Sequence, residues 1–66
     1  MMICLNGEKR EVPMGYSLDK LIESYQLGLR SIVIELNQKV IDRNHFAHTQ
    51  LKEDDVVEIV HFVGGG

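Results

Sequence analysis

Few classes of function survive what this chain lacks. It has one cysteine in 66 residues, Cys4, so no disulfide framework can form within it. A lone thiol fits a reducing compartment. No Lys/Arg run exceeds the pair Lys9-Arg10, and the formal net charge is −3. Nucleic acid and anionic membrane are therefore poor partners. The longest aliphatic run, Ile32-Val33-Ile34, is far short of a bilayer span. The first residues lack the apolar core of a secretory signal. A cytoplasmic protein is the expectation. There is no glycine-rich phosphate loop and no nucleophile–base–acid constellation. His45 and His48 are three residues apart, but no third ligand is spaced to complete a zinc site. They read as part of a solvated loop.

What remains is a soluble globular composition, 44% hydrophobic and 26% charged. The length leaves room for one domain, residues 1–66. A chain this short buries only about 60% of its unfolded surface, which disfavours an elaborate catalytic pocket.

Met1 to Leu5 is apolar, and Asn6-Gly7 is a strong hairpin signal. Lys9 to Val12 is the returning strand, with Asn6-Gly7 or Gly7-Glu8 as its loop. Either register puts Ile3, Leu5 and Val12 on one face, which reads as core, and Met2, Cys4 and Glu11 on the other. Pro13 and Gly15 end the strand. Ser17 suits a helix N-cap and Asp19 the positive end of the helix dipole. Leu18, Leu21, Ile22 and Tyr25 follow at i, i+3, i+4 and i+7, the spacing of one buried helical face. Gly28 is a suitable stop. Ser31 to Leu36 is rich in β-branched residues and reads as a strand. Asn37-Gln38 makes a turn into the short strand Lys39-Val40-Ile41. Asp42 to Gln50 is polar, with a helical turn expected around Phe46 and an anchor at Leu51. Glu53-Asp54-Asp55 reads as a tight turn in which Asp54 tolerates a left-handed backbone. Val56 to Val63 is the last strand.

One helix on a sheet of two hairpin-like pairs plus a final strand is an α+β arrangement. The final strand has no hairpin partner beside it in sequence. Placed between the two pairs, parallel to the first strand, it buries its aliphatic residues. The tail then projects from one edge. Val57 and Ile59 alternate with Val56, Glu58, Val60 and Phe62, so Val60 and Phe62 fall on the outer face near the tail and mark a candidate partner surface. Cys4, also on the outer face, reads as a spare thiol, since no base or strongly electropositive setting activates it.

The chain ends in Gly64-Gly65-Gly66. Three residues without side chains reach about 10 Å when extended and can enter a narrow active site. The group they would deliver is the α-carboxylate, with a pKa of about 3.5. Ionised, it is a poor electrophile and needs activation, most simply by adenylation with ATP. Such a chain is a carrier acted on by other enzymes and not itself an enzyme.

Leu5-Asn6-Gly7, SLDKLIESYQL, IVIELNQKVI and above all DDVVEIVHFVGGG give the chain a whole-length resemblance to the ThiS family of sulfur carriers in thiamine biosynthesis. Asp54 departs from the pattern, standing where many relatives have glycine; Asp can adopt the same backbone. The resemblance implies a ubiquitin-like β-grasp fold with a flexible glycine tail. It implies that a ThiF-like enzyme adenylates Gly66 using Mg-ATP, and that a cysteine desulfurase or other donor supplies sulfur to form a thiocarboxylate. A ThiG-like thiazole synthase would then accept that sulfur. Gly65 and Gly66 match the family's diglycine, and Val60 and Phe62 would dock on the enzymes. The alternatives are a carrier like the small subunit of molybdopterin synthase, and a non-catalytic ubiquitin-like interaction module.

Overall fold

The two hairpins are set by backbone that only certain residues tolerate. Asn6 (φ 50°) and Gly7 (φ 83°) both lie in the left-handed region, the pattern of a type I′ turn whose twist matches the strands it joins. They connect β1 (Met2–Leu5) to β2 (Glu8–Glu11), and Leu5 faces Glu8 directly across the turn. Of the two loops the sequence allowed, Asn6-Gly7 is the one used. Val12 lies just past β2, where its N–H still reaches the Met1 carbonyl at 2.8 Å. The second hairpin joins β3 (Ile32–Leu36) to β4 (Lys39–Ile41) through Asn37 (φ 52°) and Gln38 (φ 71°).

The computed structural model of the chain describes residues 1–25 and 32–61, the last of these by its backbone alone. The final strand, β5 (Val56–His61), takes the centre of a five-stranded sheet of order β2-β1-β5-β3-β4. It runs parallel to β1 and antiparallel to β3, as the sequence led one to expect. Asp54 sits at φ 70° in the turn before it, the conformation anticipated for that residue.

The helix α1 (Leu18–Ser24) covers one face of the sheet. Leu18, Leu21 and Ile22 pack with Ile3, Leu5, Val12, Ile32, Ile34, Phe46, Leu51 and Val57 in one core. Phe46 comes from a 3₁₀ helix, Arg43–His48, at the position where a helical turn was foreseen. Ser17 precedes α1 with extended backbone, yet its hydroxyl makes no backbone cap bond and donates instead to the Asp19 carboxylate. The helix entry is secured by backbone: Leu18 N–H donates to the Thr49 carbonyl at 3.0 Å and Leu51 N–H to the Tyr16 carbonyl at 2.8 Å.

Two core assignments need correction. Tyr25 is 40% exposed, not inward. The helix ends at Ser24, and Tyr25 N–H closes the last turn onto the Ile22 carbonyl three residues back. Tyr25 is thus past the last full α-turn, and the i+7 spacing no longer sets its facing. Ile59 packs against the core but is only partly buried. The β1 ladder stops opposite Val57, so no inward side chain of β1 flanks it. Gly28, Ser31 and the residues after His61 lie outside the described residues.

Candidate functional site

The candidate site is the outer face of the sheet together with the end of β5 that leads to the glycines. Period-two alternation sends Val57 into the core, fully buried, and leaves Val56 and Val60 41% and 47% exposed. Val60 pairs with the half-buried Val33 of β3, and Cys4 of β1 pairs with Val56. Between these apolar pairs, Glu35 and Glu58 face each other directly across β3 and β5. Like charges opposed across strands are destabilising. Val40, opposite Glu35 on β4, is 66% exposed.

Two asparagines hold β5 from either side. Asn6 donates its N–H to the Val57 carbonyl at 2.9 Å and accepts the Ile59 N–H on Oδ1 at 2.8 Å. Asn37 donates its N–H to the Val56 carbonyl at 2.8 Å and accepts the Val56 N–H on Oδ1 at 2.9 Å. The Asn37 Nδ2 also reaches Asp55 Oδ1 at 3.1 Å. Each turn that reverses a hairpin therefore also clamps the central strand. Sequence reasoning read both asparagines as turn formers. The clamp role had no signal beyond the residue type, which can both adopt positive φ and bond along the backbone.

Of the residues singled out in the sequence, Val60 is where it was expected. Phe62, Gly64, Gly65 and Gly66 lie outside the described residues. His45 and His48 are exposed on the 3₁₀ helix. No group of three metal-ligating side chains occurs among the described residues, and none of their helices is long and apolar enough to cross a membrane. Cys4 is half-buried across from Lys9. Asp19 is the acid held below its ordinary range: the Ser17 hydroxyl bond is the main cause, the backbone N–H groups of Lys20 and Asp19 and the Lys20 charge add to it, and burial opposes it.

With this geometry established, comparison with known proteins settles the family. The ThiS family matches residues 3–66. The chain belongs to the ThiS family. The sulfur carrier protein ThiS of Bacillus subtilis is 39% identical, over 98% of this chain and the whole of the relative. The crystal structure of the thiamine biosynthesis protein ThiS from Geobacter metallireducens superimposes with a TM-score of 0.85 at 29% identity, covering both chains completely. The fold is therefore the β-grasp expected of ThiS proteins. A thiazole synthase of Magnetococcus marinus is 36% identical over the whole of this chain, which spans only 20% of that protein's length.

Proposed function

We propose that this chain carries sulfur for thiazole formation as a thiocarboxylate on Gly66. A ThiF-like enzyme first binds the glycine tail with Mg-ATP. A Gly66 carboxylate oxygen attacks the α-phosphorus and pyrophosphate leaves, giving an acyl adenylate. A sulfur nucleophile, such as the persulfide of a cysteine desulfurase, attacks the acyl carbon and AMP leaves. Reduction of the resulting acyl disulfide by a thiol frees the thiocarboxylate, which a ThiG-like thiazole synthase takes up. The chain's own contribution is presentation. Gly64, Gly65 and Gly66 offer no side chain to obstruct entry, and Val60 and Phe62 belong to the face that docks.

The observation that supports this reading most is the pair of matches just described. The whole chain resembles free-standing sulfur carriers, and it also resembles a fifth of a thiazole synthase. A carrier that occurs both alone and as part of the enzyme it would serve is a natural sulfur donor to that enzyme. The same matches favour the thiamine pathway over a molybdopterin role. The clamped β5 supplies a rigid base for the tail.

The test is ATP–pyrophosphate exchange catalysed by the adenylating enzyme. The wild-type chain is expected to support exchange. Deleting Gly66, or adding one residue after it, moves the carboxylate by about 3.5 Å. Since misplacement by 1 Å can cost on the order of a hundredfold in rate, both variants are expected to lose at least that much. Undiminished exchange with the Gly66 deletion would overturn the proposal.

A further inference from the structure

The parallel ladder between β1 and β5 is short. It pairs Cys4 with Val56 and Leu5 with Val57, and Asn6 then ends it by bonding the Val57 carbonyl and the Ile59 N–H. Asn6 and Gly7 turn away into β2, while β5 continues to His61. Backbone direction along β5 alternates. The Val56 N–H and carbonyl both go to Asn37 on the β3 side, so Val56, Glu58 and Val60 present their backbone groups to β3. Val57, Ile59 and His61 present theirs to the other side, as the Asn6 bonds show directly for the first two. Beyond the Asn6 clamp, the Ile59 carbonyl and the His61 N–H therefore face a place in the sheet that β1 has left. Among the described residues, none bonds to either group.

Resting on the function proposed above, we infer that an extended segment of thiazole synthase fills this place, adding to β5 as a strand through the Ile59 carbonyl and the His61 N–H. Strand backbone with no partner among the described residues presents the same groups that a sheet edge offers for strand addition. The sequence that follows explains why the partner needs it. Gly64, Gly65 and Gly66 carry no side chains, so apart from the terminal carboxylate their backbone N–H and C=O groups are what a partner can bind. Thiazole synthase is the occupant because it is the protein in which a segment like this chain is found as part of a longer polypeptide.

The inference can be tested through one N–H group. His61→Pro removes that N–H, to which no described residue bonds, and proline is tolerated where a strand N–H faces outward. His61→Ala removes the imidazole and keeps the N–H. Measured by calorimetry against thiazole synthase, His61→Ala is expected to bind within about threefold of wild type. His61→Pro is expected to weaken binding at least about tenfold, the worth of one lost hydrogen bond plus the ring's bulk. Circular dichroism checks that both fold. Should the proline variant unfold, amide hydrogen exchange on the wild-type chain decides. The His61 amide is expected to slow at least about tenfold on adding thiazole synthase. Equal binding by a folded His61→Pro, or unchanged His61 exchange in the complex, would overturn the strand addition. Slowing seen only with the adenylating enzyme would overturn the choice of occupant. A wild-type chain that neither binds thiazole synthase nor accepts sulfur would instead sink the proposed function, so the two failures are distinguishable.

Discussion

The two faces of β5 carry similar aliphatic residues and differ in burial. Val57 is fully buried, while Val56 and Val60, one and three positions away, are 41% and 47% exposed. The helix, the 3₁₀ segment and Leu51 all pack on the inner face. The outer face has no covering layer among the described residues, and it opposes Glu35 to Glu58 at its middle. Hydrophobicity alone therefore does not distinguish buried from exposed positions in this strand. Position parity does: Val57 and Ile59 face the core, and Val56, Glu58 and Val60 are exposed.

The largest expected effect of breaking this contrast comes from matched truncations. Val57→Ala removes buried methyl groups and leaves a cavity, at a cost of about 2 kcal/mol. Val60→Ala is expected to change stability by less than about 0.5 kcal/mol while weakening binding to the partner enzymes. Chemical denaturation and calorimetry together measure both numbers. Similar stability losses at the two positions would erase the distinction between the faces.

Next in size is the clamp on β5. Asn37→Ala loses the acceptor for the Val56 N–H and places alanine at φ 52°, for an expected loss of about 1–2 kcal/mol. Asn37→Gly keeps the left-handed backbone accessible and loses only the side-chain bonds, so it is expected to fall between wild type and alanine in a denaturation series. A glycine variant as stable as wild type would show that the clamp contributes nothing beyond the turn.

The smallest effect sits at the start of the helix, far from the contrast in β5. Asp19 is held below the ordinary aspartate value of 3.8, chiefly by the Ser17 hydroxyl. Because its folded pKa is depressed, its contribution is fully present above about pH 3.8 and is lost as pH falls through the lower folded value. Asp19→Asn is expected to cost about 0.3–1 kcal/mol at neutral pH and to flatten the acid limb of a thermal-melt series. An unchanged acid limb would remove Asp19 from the account.

Much of this fold was legible because local signals agreed. Asn-Gly and Asn-Gln mark both hairpins, Leu18, Leu21 and Ile22 define the helix face, and the unpaired last strand has one good place to go. Tyr25 was misread because periodicity does not say where a helix stops, and the stop here is a tightened turn after Ser24. The asparagine clamps were invisible because they join residues 19 and 53 positions apart. The even-numbered face of β5 could be read from alternation, but the opposition of Glu35 and Glu58 needs the β3 register, which sequence alone leaves open. The chemistry proposed for Gly66 comes from the glycine run and the family resemblance, since Gly66 lies outside the described residues.

The central claim, that sulfur travels on Gly66, is tested most directly by intact mass and fragmentation of the chain after incubation with ATP, the adenylating enzyme and a sulfur donor. The account predicts a gain equal to one exchange of oxygen for sulfur, located by fragmentation on Gly66 and absent when ATP is withheld. Sulfur found on Cys4 instead, or full loading of a chain lacking Gly66, would contradict it.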